Sequence, residues 1–228
     1  MIEPLSLWEH LAGIEAKGPL TVAVTPGSRI CPRGWCGIVH LDGHTLATAP
    51  TPERAYALHT ALETLDPTSH TDPEALATVL DLAQARGPAT LAYLREDAFR
   101  HVPTPTITRL PAENPAVRAL LDRAAPEEAR ESDLAALTHP LFVHLEQSRS
   151  LAAAGHKPWP KDVAHLSVLT DPTHRGRGLA TRVASAAITH TLGRKLLPQW
   201  RARPPAPRRV ATRLGFEERG SQLSLSMR

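Results

Sequence analysis

Apolar residues along the first hundred positions fall into strand-like and helix-like runs in alternation. Residues 20–25 read as a strand, and residues 35–41 as a second that ends in Asp42-Gly43, a hairpin signal. Thr51 before Pro52 is an N-cap with proline at the first helical position, and Ala55, Leu58, Leu62 and Leu65 follow at helical spacing. Asp72-Pro73 opens a second helix with Leu76, Leu80 and Ala83 on its apolar face, which Gly87 closes. A strand over 89–94 completes this half.

The stretch Val102-Pro103-Thr104-Pro105-Thr106 reads as an extended linker, because each proline disfavours helix before it. It divides an N-terminal α/β half, 1–101, from a C-terminal half, 106–228. Asn114-Pro115 starts a short helix with Val117, Leu120 and Leu121 inward, and Pro126 begins another that carries Leu134 and Leu137. Strands over 141–146, 150–155 and 163–170 are separated by turns that permit an antiparallel meander. A helix with Leu179, Val183, Ala187 and His190 on one face follows, then a strand over 196–201, a helix over 207–214 and a β region over 216–227.

At 228 residues the chain suits one large α/β domain or two unequal halves. Its 42% hydrophobic and 21% charged residues exclude a wholly disordered chain. No apolar run approaches the roughly 20 residues that cross a bilayer, and Met1-Ile2-Glu3-Pro4 lacks a signal-peptide pattern, so a cytoplasmic protein is expected. Cys31 and Cys36 have no second pair to complete a tetrahedral zinc site and read as reduced thiols. Net charge is +3, but residues 161–228 hold 13 Lys/Arg against 4 Asp/Glu, a surplus of +9, and the rest carries −6. That segregation points to an anionic partner, a phosphate-bearing cofactor or a nucleic acid.

The strand over 163–170 runs through Asp171-Pro172-Thr173-His174 into Arg175-Gly176-Arg177-Gly178-Leu179-Ala180 and then a helix. Strand, tight glycine loop and helix in succession make an anion site, since unpaired N–H groups of the helix's first turn converge there. These residues resemble the Arg/Gln-x-x-Gly-x-Gly/Ala pattern of the GNAT acyltransferases, matched by Arg175, Gly178 and Ala180. A second block, Arg208-Arg209-Val210-Ala211-Thr212-Arg213-Leu214-Gly215-Phe216, is similar to the family's last helix and closing Leu-Gly-Phe. The resemblance covers roughly 106–228. It implies an α/β (α+β) GNAT fold in the C-terminal half, acetyl-CoA as acyl donor and transfer to a primary amine. The pantetheine arm would then pair with Val168, Leu169 and Thr170, and the amides of Arg175, Gly176, Arg177, Gly178, Leu179 and Ala180 would hold the pyrophosphate. Arg208, near the first turn of the last helix where anions are favoured, is the candidate for the 3′-phosphate, with nucleic acid and solvent the competing roles. The N-terminal half would be an accessory cover or a degenerate relative. A homodimer is compatible with the resemblance, and neither a membrane nor a metal is required by it.

Two departures stand out: the asparagine often found at the start of the last helix falls on Pro204, and the frequent tyrosine acid on Ala211. A thiolate leaving group, with a thiol pKa of about 8.5, needs little protonation help. The acceptor amine does need a base. The position where some members place a catalytic glutamate falls on Ala164 or His165, so His165 is the first candidate, with Glu131, His156 and Glu146 behind it. Trp159 and Trp200 are candidates for the acceptor pocket and Gln199 for an acceptor hydrogen bond, with core packing the competing role for each aromatic. The rival readings are an acyl-CoA-binding module without turnover and a nucleic-acid-binding protein. The scarcity of aromatics beside the arginines argues against single-strand binding.

Overall fold

The computed structural model describes residues 3–137, 139–203 and 205–228. The chain groups into two compact units, Met1–Ala92 with Ala202–Pro204 and Glu218–Arg228, and Tyr93–Arg201 with Pro205–Glu217. Among the described residues no helix is long and apolar enough to cross a membrane.

The first unit opens with helix α1 (Pro4–Ala12), which the sequence reading missed and which buries Leu7 and Trp8. Strands β1 (Leu20–Val24), β2 (Cys36–Leu41) and β3 (His44–Ala49) follow, β2 and β3 forming the hairpin expected around Asp42-Gly43. Helix α2 (Pro52–Thr64) starts where Thr51 Oγ1 accepts from Arg54 N–H. The helix expected after Asp72-Pro73 is a correction: α3 spans only Pro73–Ala77, and Leu82–Tyr93 form strand β4. Intrinsic helix preference in Leu-Ala-Gln-Ala is a weak prior that sheet pairing overrides. With the final strand β10 (Glu217–Met227) the order in this unit is β1-β3-β2-β10-β4. Ile38, Ala47, Leu58, Leu62, Leu76, Leu223 and Leu225 share its core. Cys31 and Cys36 are both free thiols, and burial raises both pKa values.

The second unit holds β5 (Ile107–Leu110), α4 (Pro115–Arg123), α5 (Pro126–Ser132), β6 (Leu141–Glu146), β7 (Arg149–Trp159), β8 (Val163–Thr170), α6 (Leu179–Gly193), β9 (Leu197–Ala202) and α7 (Pro205–Leu214). Its strand order is β9-β8-β7-β6-β5, with β5 to β8 an antiparallel meander and β9 parallel to β8. Asn114 caps α4 by accepting from Ala116 N–H at 2.9 Å. Helix α5 stops short of Leu134, because Asp133 takes a left-handed conformation; Leu134–Ala136 form a one-turn 3-10 helix instead. Leu134 and Leu137 still reach the core, three apart being one turn of such a helix.

One core of this unit joins Val117, Leu120, Leu134, Leu137, Val143, Ala153 and Leu169 on the α4–α5 face of the sheet. On α6, Val183, Ala184, Ala187 and Ile188 are buried, and the helix packs on β7 and β8. Since successive strand residues point to opposite faces, Leu169 assigns His165 and Ser167 to the α4–α5 face. The even-numbered residues of β8 face α6.

Candidate functional site

The pairing of β8 with β9 runs over Val163–Leu197, Ala164–Pro198 and His165–Gln199. No further pair joins the two strands among the described residues, although β8 continues to Thr170 and β9 to Ala202. The carbonyl and amide groups on that side of Val168, Leu169 and Thr170 therefore form a free edge that an extended ligand can pair with. Val168 and Thr170 are partly exposed, whereas the side chain of Leu169 is buried in the core, so its backbone alone is open to a ligand. Thr170 Oγ1 and Ser167 Oγ have no partner among the described residues.

At the end of β8 the chain is locked by Asp171, which is buried. Its Oδ1 accepts from Thr173 N–H at 3.0 Å and from the Thr173 hydroxyl at 2.7 Å. Its Oδ2 accepts from Arg123 Nε on α4 at 2.7 Å and from Arg149 Nη2 at 3.0 Å. Burial alone would raise this carboxyl's pKa, but the bonds from Thr173, Arg149 and Arg123 hold it well below the ordinary carboxylate range. The clamp's local signal in the sequence is Asp-Pro-Thr, a turn that an aspartate opens through its own side chain, whereas nothing local marks Arg123 and Arg149 as its partners.

Beyond the clamp, Arg175, Gly176, Arg177 and Gly178 are exposed and Leu179 is buried. Gly176 and Gly178 have φ of 79° and 75°, and a Cβ on either would meet nothing within 4 Å. The glycines thus supply the left-handed turn and leave the space beside the backbone open. Gly178 is the N-cap of α6 and provides no side-chain cap, so the first-turn N–H groups of Leu179 and Ala180 have no capping partner from it. The Arg175 guanidinium pairs with Glu128 of α5 at 2.7 Å, both side chains being about half exposed. Arg208 lies exposed in the early part of α7.

His165 sits at the last paired position of β8, beside this free edge. Gln199 Oε1 accepts from its Nδ1–H at 2.6 Å. The Trp159 ring stacks on the imidazole at 4.5 Å with 14° between planes. Burial, offset in part by the Gln199 bond and helped by Arg201, lowers the pKa of His165 to about 4, so the ring is neutral over the physiological range. Gln199 is fully buried and its Nε2 has no partner among the described residues.

The other candidates separate. Glu131 is exposed on α5; the carboxylate whose charge acts on His165 is Asp133, which pairs with Lys157 at 3.1 Å. His156 pairs with Leu166 in the β7–β8 ladder and so faces α6, where its ring lies 5.8 Å from His190 and 5.3 Å from His139. Glu146 is exposed and 3.4 Å from His144. Trp200 is buried edge-on against Phe216, a core role. Ala211, where the family's tyrosine falls, is buried, and Pro204 lies outside the described residues.

A GNAT acetyltransferase family model matches residues 145–221, which run from the end of β6 through β8, the glycine loop and α7 into β10. Among solved structures, the chain is similar to a GNAT-family acetyltransferase from Novosphingobium aromaticivorans, with 21% identity and a TM-score of 0.51 over 63% of this chain and 65% of that one. It is also similar to a GNAT-family acetyltransferase from Colwellia psychrerythraea, with 12% identity and a TM-score of 0.53 over 79% and 75% of the two chains. The chain thus spans just under two thirds of the length of the first of these. No curated protein matches its sequence. The solved structures share the fold, and the match to the GNAT acetyltransferase family model lies on the segment that builds the free strand edge and the glycine loop.

Proposed function

We propose that this chain transfers an acetyl group from acetyl-CoA to a primary amine. The observation that carries the reading is the continuity of the free backbone edge at Val168–Thr170 with the open loop Arg175–Ala180 and the N-terminus of α6. An arm that hydrogen-bonds as a strand and a pyrophosphate that needs converging N–H groups are the two halves of one CoA molecule. Arg175 and Arg177 add charge on the loop, and Arg208 is proposed to meet the 3′-phosphate.

In the reaction the amine nitrogen attacks the thioester carbonyl, a C–N bond forms and the C–S bond breaks. The nitrogen's proton passes to His165 Nε2, directly or through water, and returns to the departing thiolate as CoA-SH. Glu131 is a weaker candidate for this proton transfer, being exposed. Residues 106–228 are proposed as the acyltransferase domain, residues 1–101 as an accessory or degenerate acyltransferase-like half, and the cytoplasm as the place of action.

A second reading, acyl-CoA binding without turnover, is favoured by the buried alanine at 211, which offers no acid to the leaving thiol. Titration of the purified chain with acetyl-CoA by calorimetry, followed by a thiol-release assay with a mixed amine panel, separates them. Binding with release supports acetyl transfer, binding with no release across the panel favours the module, and no binding removes both.

A further inference from the structure

We propose that Gln199 is a positioning residue, whose side-chain oxygen holds the His165 ring in the tautomer with hydrogen on Nδ1 and leaves the Nε2 lone pair for the proton of the attacking amine. This rests on the acetyl-transfer reading above and adds to it the residue that orients the base.

Three observations carry it. His165 and Gln199 are direct partners in the β8–β9 ladder, so their side chains leave the sheet on the same face. The amide is fully buried and its oxygen lies 2.6 Å from Nδ1, a distance at which an oxygen acceptor requires the hydrogen to be on that nitrogen. Trp159 stacks flat on the imidazole, which fixes the ring plane and leaves rotation about it as the freedom that Gln199 removes. A carboxamide also differs from a carboxylate here: it orients the ring without drawing a second proton onto it. The charged groups that act on the ring are Arg201 of β9, Lys157 of β7 and Asp133 after α5, the last two paired with each other.

The test combines imidazole ¹⁵N spectra of the full-length chain, assigned with His165→Gln, with steady-state thiol release. In the unsubstituted protein Nδ1 of His165 carries the hydrogen. Gln199→Leu, which keeps the apolar bulk, shifts the ring toward the Nε2–H form that free imidazole favours. The same variant lowers kcat about a hundredfold, the low end of what a positioned base contributes, with the KM for acetyl-CoA unchanged. Gln199→Glu keeps the shape, raises the titration of His165 by at least a unit and moves the acid limb of kcat/KM with it. An unsubstituted protein with hydrogen on Nε2, meaning an amide turned to donate, overturns the proposal; so does a tautomer unmoved by Gln199→Leu. Undiminished thiol release by His165→Ala removes His165, and Gln199 with it, from the reaction while leaving acetyl transfer standing. Absence of thiol release in every form, with the tautomer as expected, leaves the orienting bond in place and sinks the acetyl-transfer reading and the catalytic role that rests on it.

Discussion

At Gly178 and Gly215 the same residue type serves opposite purposes. Gly178 faces open space, and a Cβ there meets nothing within 4 Å. Gly215, with φ of 96°, closes α7 against the backbone of Ala98, and a Cβ there would clash with the Ala98 carbonyl oxygen. Gly178→Val should therefore stay folded, at a cost of about 1–2 kcal/mol for the left-handed backbone, and lose at least about tenfold in acetyl-CoA affinity through blocked approach. Gly215→Ala should lose about 3 kcal/mol or more in stability, because backbone rather than a flexible side chain must move. Urea denaturation and calorimetry on the two variants read the contrast; equal stability losses would contradict the assignment of Gly178 to a ligand. Both glycines were legible as glycines, from a loop motif and a C-cap position. That His165 lies on the α4–α5 face, and His156 on the α6 face, was not legible. Parity along a strand becomes a face only when a partner residue such as Leu169 is seen in a core.

Between elements, Asp171 ties α4, the start of β7 and the end of β8 to the turn that launches the glycine loop. Replacing it with asparagine keeps the turn-forming side chain but leaves Arg123 and Arg149 without their carboxylate. The expected loss is about 1.5–3 kcal/mol, the range for hydrogen bonds to a charged group, since the arginines left behind are partly exposed, together with weaker acetyl-CoA binding although Asp171 touches no ligand. Unchanged affinity in a folded Asp171→Asn protein would mean the loop is positioned by other groups. The elements that sequence pattern located best have clear local signals: α2 and α4 each have a capping side chain, and β8 is a mostly apolar stretch bounded by Asp162 and Asp171-Pro172. The ones it misplaced, α3 with β4 and the end of α5, have residues acceptable to either structure. There, sheet pairing and a single left-handed Asp133 decide.

For the whole molecule, buried histidines set the response to acid. Burial first, then His139, His190 and Arg194, lower the pKa of His156 to about 4, and burial lowers that of His165 to about 4. Their ordinary value is near 6.5, so below that pH the unfolded chain takes up protons that the folded chain refuses. Stability is fully present above pH 6.5 and falls as the pH drops toward 4; the Asp171 contribution is lost only below about 3.8, its pKa being depressed as well. Unfolding free energies from urea titration should decline between pH 7.5 and 4.5, and His156→Leu should flatten the decline. A midpoint independent of pH over that window would show that the histidines are not held neutral.

By itself the sequence determined the α/β class, the order of strand, glycine loop and helix, and the acidic and basic parts of the chain. Those follow from periodicity, capping chemistry and charge, which are local properties. Only the tertiary structure decided where β8 and β9 stop pairing, which side chain of each strand faces the helices α4 and α5, and that Asp171, Arg123 and Arg149 meet. These are register, parity and long-range contact. They depend on how distant segments bury one another, and no stretch of chain carries them alone.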